Sequence, residues 1–183
     1  MYRTILKSLG IVSLILAWII ILTSIYLNPW FIFTKNAFSD LGSKYANYYY
    51  LYNFGLVIVS ILGFIYACYL AYISRNKIET IGSAFVMVAM VFLALIGIFP
   101  EGTYPHLFVS FWFFTQFAIA ILTWGIGIFI EGDGKIGSIL ILLFIIGVLG
   151  SIIIPWPSAA TIETWGIIII DISIILLYIK FNK

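Results

Sequence analysis

Six apolar runs divide the chain, at residues 8–27, 49–73, 81–99, 107–130, 136–154 and 160–179, each bounded by a charged, proline-containing or glycine-rich break. A bilayer hydrocarbon core of about 30 Å takes roughly 20 helical residues to cross, and every run meets or approaches that length. None alternates apolar and polar residues with the period of two that an outer-membrane strand would show. The pattern predicts an all-α fold, a polytopic transmembrane bundle of six helices. It also predicts one domain over residues 1–183, because no polar stretch is long enough to fold separately. Arg3 and Lys7 precede the first run as they would in a signal peptide. Its apolar core is too long, however, and no small-x-small cleavage site comes before Asn28-Pro29, so it is expected to be a retained helix.

Composition carries the same message for the whole chain. Of 183 residues, 64% are hydrophobic and only 9% charged, and the mean hydropathy is +1.20. A soluble domain needs far more polar surface than that. The single cysteine, Cys68, precludes a disulfide within the chain and a cysteine-based metal site, and reads as a small packing residue. The net charge of +2 rests on too few residues to point to nucleic acid.

Basic residues predict the orientation. With the N-terminus in the cytoplasm, that side carries Arg3, Lys7, Arg75, Lys77, Lys135, Lys180 and Lys183, and the other side only Lys35 and Lys44. Both termini are therefore expected to be cytoplasmic, in the cell membrane. Glu79, Glu131 and Asp133 then fall among basic neighbours in cytoplasmic loops, where solvation accounts for them. Asp40, Glu101, Glu163 and the only histidine, His106, gather at the outer side, and Asp171 lies inside the last helix.

The first outer loop, residues 28–48, opens with an apolar stretch suited to the interface and ends in Tyr45, Tyr48, Tyr49, Tyr50 and Tyr52. With Tyr104, Trp156 and Trp165 these rings read as an aromatic belt at headgroup level. All five prolines also belong to this side. None interrupts a helix in mid-membrane, unlike the discontinuous helices of many transporters. The turn between the third and fourth helices places Glu101 and His106 five residues apart, a carboxylate and an imidazole that could act as acid and base or simply close the turn.

Asp171 is the costliest residue to insert, at roughly 2.5–3.5 kcal/mol for an ionised carboxylate at the centre of a span, so it must face the bundle. Gln116 is a candidate partner at similar depth if the fourth and sixth helices are neighbours. The bond between them would be either an interhelical tie or part of an ion path. Glu163 and Asp171 differ by only about 80° in direction and could share one vestibule. His106 and Ser110 share a face of the fourth helix. Gly63, Ala67 and Ala71 form a small-residue stripe for close packing. Trp112 and residues 111–114 read as lipid-facing or core bulk. A usual zinc site lacks its second histidine, and there is no P-loop or nucleophile elbow. No arginine lies within a span, and a bis-histidine haem is impossible. The sequence names no cofactor and no metal.

Phe38-Ser39-Asp40-Leu41-Gly42, then Gly97-Ile98-Phe99-Pro100-Glu101 followed by His106, resemble the motifs of a widespread family of small six-helix prokaryotic membrane proteins, a domain of unknown function. The resemblance extends over essentially the whole chain. That family is distantly similar to eukaryotic six-helix proteins of lipid remodelling and lysosomal membranes. The resemblance implies Ser39, Asp40, Glu101 and His106 as matching positions. Glu163 matches a glutamate that family members often follow with arginine, whereas this chain has Thr164.

Three functions are open on these grounds. Asp40, Glu101 and His106, with Ser39 beside them, would bind or act on a lipid headgroup or cation, with Ser39, Asp40, Glu101 and His106 as candidate catalytic groups. The chain would alternatively be a non-catalytic accessory subunit of a larger membrane complex. Or it would be a proton- or cation-coupled transporter using Asp171, with Glu163 and Gln116 in the ion-binding set. The expected partners are membrane lipids or other membrane subunits. A purely structural account stands beside them, in which Asp40 caps the loop, Glu101 pairs with Lys44 and His106 caps the fourth helix.

Overall fold

The computed structural model of the chain describes residues 2–181, with Tyr2 and Arg3 as backbone alone. Six α-helices follow one another: α1 Tyr2–Leu27, α2 Tyr49–Ile73, α3 Lys77–Ile98, α4 His106–Ile130, α5 Gly134–Ile153 and α6 Ala159–Phe181. One short 3-10 helix, Phe38–Gly42, sits in the first loop, and the described residues contain no strand. All six α-helices are long and apolar enough to cross a membrane, which makes the chain a multi-pass integral membrane protein. α1 and α3 begin earlier than the apolar runs because helix geometry tolerates charged residues in a first turn. At α3 the Asn76 side chain accepts the Glu79 N–H at 3.0 Å, a capping bond that starts the helix among charges.

Successive helices pack as antiparallel neighbours from α1 to α5, and α6 returns to close against α1, α4 and α5. Loops 28–48, 99–105 and 154–158 thus share one end of the bundle, called here the Asp40 end. Loops 74–76 and 131–133 share the other, the Arg75 end. The seat of α2 on α3 uses the expected stripe. A Cβ on Gly63 would collide with the Met90 sulfur, and Ala67 is fully buried. Nearer the Asp40 end, Gly97 lies directly against the backbone carbonyl of Asn53, an approach that only glycine permits.

Three sequence expectations change here. Cys68 is exposed on α2 and faces outward from the bundle. Glu79 does not belong to a solvated loop but is fully buried in the first turn of α3. One of its oxygens accepts the Arg75 N–H at 2.7 Å, and the other has no partner among the described residues. The aromatic belt divides: Tyr45, Tyr48, Tyr49, Tyr50 and Tyr104 are exposed, while Tyr52 points into the core. Trp156 and Trp165 lie against each other at a tilt, with ring centres 5.8 Å apart, and donate to the Gly150 and Gly147 carbonyls of α5. They clip α5 to α6. At the Arg75 end, Asp133 caps α5 through the Ile136 N–H and pairs with Lys180 at 2.6 Å. Asn76 bridges to Glu131 at 3.2 Å. In the basic tally, Lys183 and the Arg3 side chain lie outside the described residues.

Candidate functional site

The first loop folds back over the bundle because both of its ends are tied to Asn28. That side chain, fully buried, accepts the Asn47 N–H at 2.7 Å and the Trp30 indole N–H at 2.9 Å. It donates in turn to the Ser24 and Asn47 carbonyls. Phe31 stacks on Phe38 at 6.0 Å, and the 3-10 turn that follows carries Ser39 and Asp40 inward over the helix ends. Asn53 of α2 holds the far side of the turn by donating to the Gly42 carbonyl at 2.9 Å.

Within this turn the two neighbours part. Asp40 turns back to its own loop, where its Oδ2 accepts the Ala37 N–H at 2.9 Å and an Asn36 amide N–H at 3.2 Å. Ser39 turns to the bundle and donates to Glu101 Oε2 at 3.2 Å. The same carboxylate oxygen lies 3.0 Å from His106 Nε2. His106 Nδ1 stands 2.8 Å from the Phe99 carbonyl. A carbonyl only accepts, so Nδ1 carries a proton. A proton must then also lie between Nε2 and Glu101, making either an imidazolium–carboxylate pair or a carboxylic acid donating to neutral imidazole. Ser110 Oγ, one turn down α4, is 3.4 Å from the same Nε2. The result is a chain from Ser39 through Glu101 and His106 to Ser110, with both serines on the wall of a cavity.

The last acid reaches the site from the far end of the sequence. Glu163 Oε2 accepts the Phe38 N–H at 2.7 Å, and its position is within electrostatic range of Asp40 and Glu101. The adjacent loop is stitched to α6 by the Ala160 N–H on the Asn36 carbonyl at 2.9 Å. Glu101 does not pair with Lys44, whose ammonium sits over the Tyr45 ring instead. Nor does the His106 side chain cap α4; it spans the preceding turn. Among the described residues, no lysine or arginine forms an ion pair with Asp40, Glu101, Glu163 or Asp171.

Beneath the cluster lies an apolar cavity of about 110 Å³ lined by α1, α2, α3, α4, α6 and the 3-10 turn. Phe38, Ser39, Tyr52 and Glu163 line its upper part, and Tyr66 and Asp171 its lower part. Glu163 and Asp171 thus share one space, about 12 Å apart along α6 at the helical rise. Asp171 is not bonded to Gln116. Its Oδ2 accepts the Trp18 indole N–H at 2.8 Å, and Gln116 stands outside the lining. α6 turns Asp171 toward α1, and Trp18 offers an N–H that a donor-poor apolar run otherwise lacks. Phe113 and Phe114 line the cavity, while Phe111 is exposed.

Structure therefore brings Ser39, Glu101 and His106 together, adds Glu163 from the side, separates Asp40 from them, and sets Asp171 below. Sequence reasoning missed Trp18, whose signal would have been an indole at the depth of a buried acid. It also missed Tyr52, which read as part of the belt, and Tyr66. Both are over nine-tenths buried on the cavity wall, and neither hydroxyl bonds to a described residue.

Among the described residues, no group of three or more histidines, cysteines, aspartates and glutamates converges as a metal site. No curated protein matches the chain, and no solved structure does. One family model does match, covering residues 11–180. An integral membrane bundle of six helices, with its first loop folded over one end, is thus a member of the family described as Protein of unknown function (DUF998).

Proposed function

We propose that the protein binds a membrane amphiphile, with the head at the Ser39–Glu101–His106–Glu163 cluster and part of one hydrocarbon chain in the cavity below. The observation that supports this reading is the continuity of the two parts. Two of the cluster's side chains, Ser39 and Glu163, line the upper part of an apolar cavity among five helices, and Glu101 and His106 follow behind Ser39. Binding sites for small molecules commonly combine apolar walls with a few placed polar groups. An apolar cavity of about 150 Å³ stays dry and accepts benzene, so about 110 Å³ suits a few methylenes of one chain. The excess of basic residues at the other end favours an outward-facing cluster in the cell membrane.

A proton- or cation-coupled path through Asp171 has less support. Below the cavity an apolar gap of about 10 Å³ lies between Tyr66, Trp124 and Leu177, room for about one water at most. Ions reaching Asp171 from the Asp40 end would meet an apolar barrier there.

The test is native mass spectrometry of the protein released from its own membrane lipids. Ala17 lines the cavity, and Ala17→Leu fills it without touching the polar cluster. Wild type is expected to retain a lipid that Ala17→Leu loses, while Ile19→Leu on the exposed face behaves as wild type. Equal lipid retention by Ala17→Leu would sink the reading.

A further inference from the structure

The polar groups of the cavity wall are unequal in kind. They include two carboxylates, Glu163 and Asp171, and several hydroxyls, but no lysine, arginine or histidine. Each carboxylate uses one oxygen within the protein: Glu163 Oε2 takes the Phe38 N–H and Asp171 Oδ2 the Trp18 N–H. The second oxygen of each accepts no hydrogen bond from a described residue. Tyr52 adds a second, separate signal. It is 6% exposed, lines the upper cavity beside Glu163, and its hydroxyl has no protein partner. Tyr52 is buried and all three side chains line the cavity, so these groups are open to a polar partner that enters it.

Aromatic rings share the same cavity wall. Phe38, Tyr52, Phe113 and Phe114 all line the cavity, and rings of this kind attract cations, quaternary ammonium above all. An anionic head would meet Glu163 with Glu101 and Asp40 in electrostatic range behind it, and the one basic group of the cluster, His106, is already turned to Glu101. A neutral head would offset no charge, so the carboxyl would have to take up a proton to remain in an apolar space, whereas a cation pairs with it as a carboxylate.

We infer that the head of the bound amphiphile is cationic, an amine or quaternary ammonium seated against Glu163 and the Tyr52 ring. This rests on the reading that the cavity holds an amphiphile, and adds the class of head.

Three probes with one shared dodecyl chain separate the two claims: dodecyltrimethylammonium, dodecanol and dodecyl phosphate, titrated onto the protein in neutral-lipid nanodiscs and read by tryptophan fluorescence. The ammonium is expected to bind at least about tenfold more tightly than the alcohol, and the phosphate more weakly than either. Glu163→Gln keeps an acceptor for the Phe38 N–H while removing the charge. It is expected to bring ammonium binding down to the level that the alcohol shows on wild type. If the alcohol or the phosphate binds wild type as tightly as the ammonium, the cationic head is refuted and amphiphile binding stands. If none of the three binds, both claims fall. The wild-type comparison needs no variant, so it decides the matter even where Glu163→Gln does not fold.

Discussion

The Glu163 carboxylate holds the backbone N–H of Phe38 at 2.7 Å across 125 positions of sequence, fastening the first loop to the last helix. Phe38 is 3% exposed, so water cannot replace the acceptor. This bond, more than Asp40, sets where Ser39 stands over the cavity.

Removing that acceptor tests the claim. Glu163→Ala strands a buried N–H, and hydrogen bonds to charged groups are worth about 1.5–3 kcal/mol. Glu163→Gln keeps an acceptor at the same reach, and is expected to recover most of the loss. Thermal unfolding in a mild detergent, with limited proteolysis of loop 28–48, measures both variants. Equal loss in the two would mean that charge, and not the bond to Phe38, holds the loop.

Glu101 and His106 form the next link, and they should be coupled energetically. A double-mutant cycle with Glu101→Gln and His106→Gln is expected to give a coupling of about 0.5–1 kcal/mol, decreasing with added salt, since Glu101 is 40% exposed and water screens the pair. Ser39→Ala, which removes a 3.2 Å bond, is expected to cost less than His106→Ala, which also releases the Phe99 carbonyl. Stability curves at two ionic strengths supply the check. A salt-independent coupling would show that the contact is not an ion pair.

Gly97 stands at the base of the turn that carries Glu101, and its hydrogen faces the Asn53 carbonyl. Gly97→Ala forces α2 and α3 apart at the point where Asn53 also holds Gly42, and overpacking of this kind commonly costs about 1–3 kcal/mol. Gly134→Ala meets nothing nearer than 3.8 Å and is expected to be nearly neutral. Comparing the two melting temperatures, and the accessibility of loop 28–48 to protease, separates a local packing defect from a general effect of alanine. A neutral Gly97→Ala would contradict the close approach.

The helices were legible in the sequence because lipid imposes a length on every apolar run and a polar break between runs. The structural bounds differ mainly where charged first turns extend α1 and α3. Side-chain partners were less legible. Glu79 lies among Arg75, Lys77 and Asn76 in sequence and so reads as solvated, yet the seat of α3 against Gly127 buries it. Asp40 and Glu163 are both acids at one end, and only the path of the loop decides that Asp40 caps its own turn while Glu163 reaches Phe38. Trp18 was silent because an indole in an apolar run has the hydropathy of bulk. Its partner is fixed by the return of α6 to α1, and pairing of helices distant in sequence leaves no trace in periodicity.

That return is what the Trp18–Asp171 bond secures, at 2.8 Å with an apolar cavity on one side. Trp18→Phe leaves a carboxylate without its donor inside the membrane and is expected to cost about 1–3 kcal/mol. Asp171→Leu alone strands the indole N–H and is expected to cost less, because a neutral group loses less than a carboxylate. The double variant Trp18→Phe/Asp171→Leu replaces both partners with apolar groups. It is expected to be more stable than Trp18→Phe alone, since an apolar pair leaves nothing unsatisfied. Thermal unfolding of the three variants in one detergent measures this order. If the double variant is instead the least stable, Asp171 has a further partner in the cavity, and the native lipid carried by each variant identifies whether that partner is the ligand.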